Sequence, residues 1–116
     1  MTITIRPQQA TRLWHEVSLA LVRSGDDELS MRQMAVLLTI YLEPPPHTVR
    51  GLAAKLGVTK PVITRALDTM GGKGLVSRRR DLADRRNVIV QRTVEGALFL
   101  ERLGDLISDR ARHVPK

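Results

Sequence analysis

The side chains of this chain best equipped for chemistry are hydrogen-bond donors in a basic stretch. Arg78, Arg79, Arg80, Arg85 and Arg86 crowd one segment, and Thr59, Lys60, Pro61, Thr64 and Arg65 precede them. Guanidinium, ammonium and hydroxyl groups suit phosphate oxygens and base edges. No catalytic constellation accompanies them. His15, His47 and His113 fall in separate elements without ligand spacing, which argues against a metal site. Asp81 and Asp84 form a carboxylate pair, but four flanking arginines favour local ion pairs over acid–base work. Gly71, Gly72 and Gly74 follow a helical pattern and do not form a phosphate-cradling loop. The absence of cysteine excludes disulfides, thiolate zinc and thiol redox sensing. The chain is expected to be no enzyme and to need no metal and no cofactor.

The distribution of charge says more than its total. The 116 residues carry a formal net charge of +7 and a sequence pI of about 11.0. Between Thr48 and Arg92 lie eleven of the nineteen Lys and Arg but only three of the twelve Asp and Glu, a net of +8. The remaining eight basic and nine acidic residues leave −1. A polyanion partner explains this split most simply, since phosphate contacts supply most non-specific nucleic-acid affinity. A solvated basic surface is the competing reading. Only Trp14, Tyr41 and Phe99 are aromatic, and single-strand binders rely on aromatic stacking platforms. Duplex DNA is therefore favoured.

The elements that must position these donors lie between Thr48 and Thr93. Ala53 is small enough to let a second helix cross. Gly57, four residues on, can take a positive φ at the end of the first helix. Ile63, ten residues after Ala53, covers the crossing, which is the spacing of a helix-turn-helix. Thr59 suits the N-cap of the second helix and Pro61 its first turn. On a helical wheel, Val62, Ile63, Ala66, Leu67 and Met70 share one side, while Lys60, Pro61, Thr64, Arg65 and Asp68 share the other. That outer face is short, polar and hydrogen-bonding, although the wheel alone also fits an ordinary amphipathic surface helix. Gly71 to Gly74 end the helix. Leu75–Arg80 and Asn87–Arg92 then read as two strands joined by the polar loop Asp81–Arg86. A helix-turn-helix followed by a basic hairpin is a winged helix, mainly α with a small β-hairpin wing.

At this point the residues resemble a family. Thr48-Val-Arg-Gly-Leu-Ala-Ala-Lys-Leu-Gly-Val-Thr-Lys-Pro-Val-Ile-Thr-Arg-Ala-Leu-Asp68 is similar to the helix-turn-helix of MarR-family transcriptional regulators. Gly74-Leu-Val-Ser-Arg-Arg-Arg-Asp-Leu-Ala-Asp-Arg-Arg86 resembles that family's wing, with its Gly-Leu-Val strand start and Asp-Arg-Arg tip. The resemblance implies a winged-helix dimer on a palindromic operator, usually a repressor released by a small ligand. Ala83 stands where the family often has Arg, which would remove one wing contact. The family's last helix usually has a partner after it, and this chain ends before one. No residue pattern marks an effector pocket.

The flanking segments complete the organisation. Met1–Ile5 alternates like a short strand, and a disordered start is the competing reading. A helix is expected over 7–24, with Leu13, Val17, Ala20 and Leu21 on one face and Trp14 as a core or interface anchor. The loop Gly25–Glu28 follows. Ser30 and Gln33 fit a capping box that opens a core helix carrying Met34, Leu37, Leu38 and Tyr41. Pro44, Pro45 and Pro46 stop it, and Thr48 caps the next helix. After the wing, Thr93 caps a helix over 93–111 whose apolar face includes Val94, Ala97, Leu98, Leu100, Leu103, Leu106 and Ile107. The longest nearly apolar run, Met34 to Leu42, falls far short of the ~18 residues that span a bilayer, and the N-terminus has no apolar signal-peptide core. A cytoplasmic location and no membrane partner are expected.

The reading is one winged helix-turn-helix domain over residues 1–116, with a DNA-binding core over 30–92 and dimerisation helices at 7–24 and 93–111. It is expected to be a sequence-specific regulator that binds double-stranded DNA as a homodimer and represses. Thr59, Lys60, Pro61, Thr64 and Arg65 approach the major groove, and Arg85 and Arg86 enter the minor groove. Lys73, Arg78, Arg79 and Arg80 contact phosphates. Asp84 braces a wing arginine, against the alternative of a solvated ion pair worth little. Two other functions compete: a protein-interaction module, and an architectural DNA binder without sequence choice.

Overall fold

The computed structural model describes residues 3–25 and 28–115. The elements run α1 (Pro7–Arg23), α2 (Met31–Leu42), β1 (His47–Thr48), α3 (Val49–Leu56), α4 (Lys60–Gly72), β2 (Val76–Arg80), β3 (Val88–Arg92) and α5 (Val94–Arg112). Among the described residues, five helices and an antiparallel sheet of order β1-β3-β2 make a winged helix. Contacts divide the chain into two units, residues 29–100 and residues 1–28 with 101–116.

The larger unit is built around Val36, Leu37, Ile40, Leu52, Ile63, Leu67 and Met70, all nearly inaccessible, with Leu75, Val76 and Val90 beneath the sheet. Burying each such large side chain is worth about 1.5–3 kcal/mol, so the crossing of α3 and α4 is set by the core. The local signals agree with it. Ser30 Oγ accepts the Gln33 N–H at 3.0 Å and Gln33 Oε1 accepts the Ser30 N–H at 2.8 Å, closing the capping box of α2. Thr48 Oγ1 accepts the Gly51 N–H at 2.9 Å and so caps α3.

Gly57 ends α3 at φ 70°, where a side chain would be strained. The Val58 N–H then reaches Ala53 O at 3.0 Å and the Gly57 N–H reaches Ala54 O at 3.3 Å, a Schellman motif. Gly74, at φ 76°, repeats the motif for α4, with Leu75 N–H to Met70 O and Gly74 N–H to Gly71 O, both 3.0 Å. Gly71 and Gly72 themselves remain helical.

Four expectations need correction. The sheet has a third strand: His47 pairs with Val90 and Thr48 with Ile89. Two residues after three prolines are too few to show an alternating pattern. The buried face of α2 is centred on Val36, Leu37 and Ile40, with Met34, Leu38 and Tyr41 only partly covered. Thr59 occupies the N-cap position of α4, but its side chain makes no capping bond. Its carbonyl instead accepts the Val62 and Ile63 N–H groups. Of the proposed N-terminal strand, Ile3–Ile5 are in no regular element, and Met1 and Thr2 lie outside the described residues, as do Asp26 and Asp27 of the loop at 25–28.

One joint holds α2, the wing and the start of α5 together. The Tyr41 hydroxyl donates to Leu75 O at 2.6 Å and accepts the Thr93 N–H at 3.0 Å. Thr93 Oγ1 donates to Gly74 O at 2.7 Å and accepts the Gly96 N–H at 2.9 Å, so it caps α5 while anchoring the wing. Arg92 donates from Nε to Ile40 O and from Nη2 to Glu43 O, both at 2.8 Å, with its guanidinium 5.8 Å from the Tyr41 ring centroid. It supplies donors to carbonyls that the end of α2 leaves unpaired.

In the smaller unit, Val17 and Leu103 are the buried hydrophobics among the described residues. Trp14 is 55% exposed, Val22 59% and Ile107 37%. Trp14 is thus no core residue of the single chain.

Candidate nucleic-acid interface

The sequence-predicted contact residues fall on two neighbouring supports. On α4, Thr59, Lys60, Pro61, Thr64 and Arg65 are all exposed, while Ile63, Ala66, Leu67 and Met70 on the opposite face are buried. The core fixes the helix, and the polar side points outward. On the wing, Val76 pairs with Arg92 and Arg80 with Val88, which aligns β2 and β3 through their full length. Arg78 and Arg80 project from one strand face and Arg79 from the other.

The turn between the strands is shaped by its two aspartates. Asp81 Oδ1 accepts the Ala83 N–H at 2.9 Å and Asp84 Oδ1 accepts the Arg86 N–H at 3.1 Å, two side-chain turns in succession. Asp84 also holds the Arg86 guanidinium, with Nε to Oδ1 at 3.1 Å and Nη2 to Oδ2 at 3.2 Å. The Arg86 side chain, then its backbone N–H, and then the charge of Arg50 keep the Asp84 carboxyl below the ordinary carboxylate range. A depressed folded-state pKa contributes stability above the unfolded value and loses it as pH falls through the folded one. The pair is therefore expected to persist through neutral and mildly acidic solution. Arg80 Nη1 donates to Arg85 O at 2.8 Å, tying the strand end to the tip.

The predicted cations differ in how far they are already engaged. Arg78 Nη2 lies 2.7 Å from Asp68 Oδ1, an ion pair between the wing and α4. Arg86 is held by Asp84. Lys73 is partly buried at the end of α4. Lys60, Arg65, Arg79 and Arg85 make no side-chain hydrogen bond or ion pair among the described residues. Arg50, exposed in the first turn of α3 and close enough to act on Asp84, was not among the predicted contacts. Its place at the start of a helix that faces the wing is tertiary information.

Asp84→Ala removes both the guanidinium clamp and the N–H acceptor at the tip. Its DNA affinity is expected to fall several-fold, because the tip arginine loses both restraints. Fluorescence anisotropy against a duplex bound by the wild type measures this. Unchanged affinity would leave the pair as a solvated contact.

Known proteins share this geometry. Residues 29–88 match the MarR family model. The chain is 31% identical to the transcriptional regulator BldR from Sulfolobus solfataricus, over 88% of this chain and 73% of that one, with a TM-score of 0.62. It is 26% identical to the transcriptional repressor CouR, solved bound to a 23-mer DNA duplex, over 91% and 72% of the two chains, with a TM-score of 0.71. A mutant of S. aureus MepR, bound to an oligodeoxyribonucleotide, reaches a TM-score of 0.78 over 91% of this chain and 75% of that one. At 18% identity that likeness is one of fold.

Proposed function

This chain belongs to the MarR family, and from that membership and the donor-lined face of α4 we propose that it is a dimeric, sequence-specific regulator that binds duplex DNA and represses transcription. The observation that carries the reading is the outer face of α4. Its donors are exposed and the Lys60 and Arg65 side chains have no internal partner among the described residues, while its other face is locked in the core. Such a face satisfies its donors on base edges and phosphates.

In this reading Thr59, Lys60, Pro61, Thr64 and Arg65 enter the major groove, the Thr59 hydroxyl being spared from capping. Arg85 and Arg86 enter the minor groove, where a narrow groove attracts guanidinium charge. Arg79, Arg80 and Lys73 contact phosphates, and Arg78, through Asp68, chiefly sets the wing against α4. Residues 30–92 form the DNA-binding core, and the helices over 7–24 and 93–111 form the dimer surface. The protein acts in the cytoplasm, without enzymatic activity. Among the described residues no helix is long and apolar enough to cross a membrane, and no three His, Asp or Glu gather to hold a metal.

The exposed Trp14, Val22 and Ile107 are too much apolar surface to leave in water. Sedimentation equilibrium is expected to give a dimer, and a footprint two protected half-sites ~34–36 Å apart. Trp14→Glu is expected to shift the protein to monomer and lower its DNA affinity at least tenfold, because one half-site then binds alone. A monomeric wild type protecting a single half-site would overturn the dimeric reading.

A further inference from the structure

We propose that the groove between the first turn of α2 and the outer face of α4 is a seat for a DNA backbone phosphate, with Arg32 as a contact residue outside the helix-turn-helix and the wing. Ser30, Arg32 and Gln33 form one wall and Arg65 and Thr69 the other, over a floor that includes Ala66. The inference rests on the DNA-binding reading and adds a third point of attachment to it.

Three features point to an anion. First, two arginines and no carboxylate are among the residues that line the groove. Neither Arg32 nor Arg65 has a side-chain hydrogen bond or ion pair among the described residues. Their joint positive field favours an anion at that opening. Second, the α2 end adds donors of its own, although each of its capping oxygens already accepts one bond. Gln33 Oε1 holds the Ser30 N–H and Ser30 Oγ holds the Gln33 N–H. The Gln33 amide NH₂ and the Ser30 hydroxyl hydrogen make no hydrogen bond among the described residues and remain available as donors.

Third, the groove flanks the reading face itself. A phosphate held there would fix the depth and register of α4 in the major groove, since phosphate contacts position while base contacts specify. Phosphate oxygens are acceptors only and match the arginine and amide donors there. Within the recognition head Arg32 would thus act on affinity and Arg65 on choice of sequence.

The test uses the full-length chain, the duplex upstream of its own gene and a shuffled duplex, titrated at several salt concentrations. Arg32→Ala is expected to weaken both complexes several-fold and by the same factor, and to lower the slope of log affinity against log salt by about 1. Arg32→Lys should restore most of the slope, because the charge is kept. Arg32 is exposed, and melting curves for both variants establish that the fold is retained. If the wild type binds and Arg32→Ala matches it in affinity and slope, this inference fails and the DNA-binding reading stands. A loss confined to the upstream duplex would also overturn it, by making Arg32 a base contact. Failure of the wild type to bind any duplex at low salt would overturn both.

Discussion

Replacing Gly96 by Ala is expected to lower the melting temperature by roughly 10–20 °C. Alanine ordinarily favours a helix over glycine by about 1 kcal/mol. Here a Cβ would run into the Tyr41 hydroxyl and the Leu75 carbonyl oxygen. Neither can step aside cheaply. The hydroxyl is fixed between Leu75 O at 2.6 Å and the Thr93 N–H at 3.0 Å, and Leu75 O belongs to the backbone that starts the wing.

Overpacking costs about 1–3 kcal/mol, and each hydrogen bond broken at a part-buried site adds about 1–3 kcal/mol. A net loss on the order of 3 kcal/mol is a large share of an ordinary domain's stability. Gly104 lies in the same helix and a Cβ there meets nothing within 4 Å. Gly104→Ala is therefore the matched control, expected to melt at or slightly above the wild type. Thermal unfolding followed by circular dichroism separates the two, and equal melting of both variants would contradict the close approach at Gly96.

The second large effect falls on recognition. Arg65→Ala is expected to cost about 1–3 kcal/mol on the operator, roughly 5- to 150-fold in affinity, and to relax specificity at one base pair. Arg65 stands on the exposed face of a helix whose opposite face is fully buried, so its Cα is fixed while its guanidinium is free of internal partners among the described residues. That arrangement suits a bidentate contact to guanine. A binding-site selection with the variant would locate the relaxed position. Equal losses on operator and random DNA would make Arg65 a phosphate contact, with the specificity carried elsewhere on α4.

The parts of this fold that sequence reading reached are those set by neighbours within a few residues. Ala53, Gly57 and Ile63 define the corner through spacing alone, and the Ser30–Gln33 box and the Thr48 and Thr93 caps each close over three residues. What escaped depends on residues far apart in sequence. Arg92 looks like part of the basic excess, yet its guanidinium reaches the carbonyls of Ile40 and Glu43 and becomes a structural tie.

Arg78 likewise reads as one more cation of the wing, and only the fold brings Asp68 to 2.7 Å from it. Gly96 resembles an indifferent helical glycine because the atoms that forbid a side chain come from α2 and from the start of the wing. The strand at His47–Thr48 carries no pattern of its own and exists because β3 offers it an edge. Arg32 meets Arg65 at one groove only through the packing of α2 on α4. The site's raw positive charge was thus visible in the sequence, but its division into ties, braces and free donors was not.

The central claim is that the exposed donors of α4 and the wing read a particular duplex. The most direct test titrates the protein at physiological salt against the DNA upstream of its own gene and against a shuffled duplex of the same composition. The account predicts a preference of ~10³ or more for the upstream DNA. Equal affinity for the two duplexes, however tight, would contradict it and leave a binder that recognises DNA by charge alone.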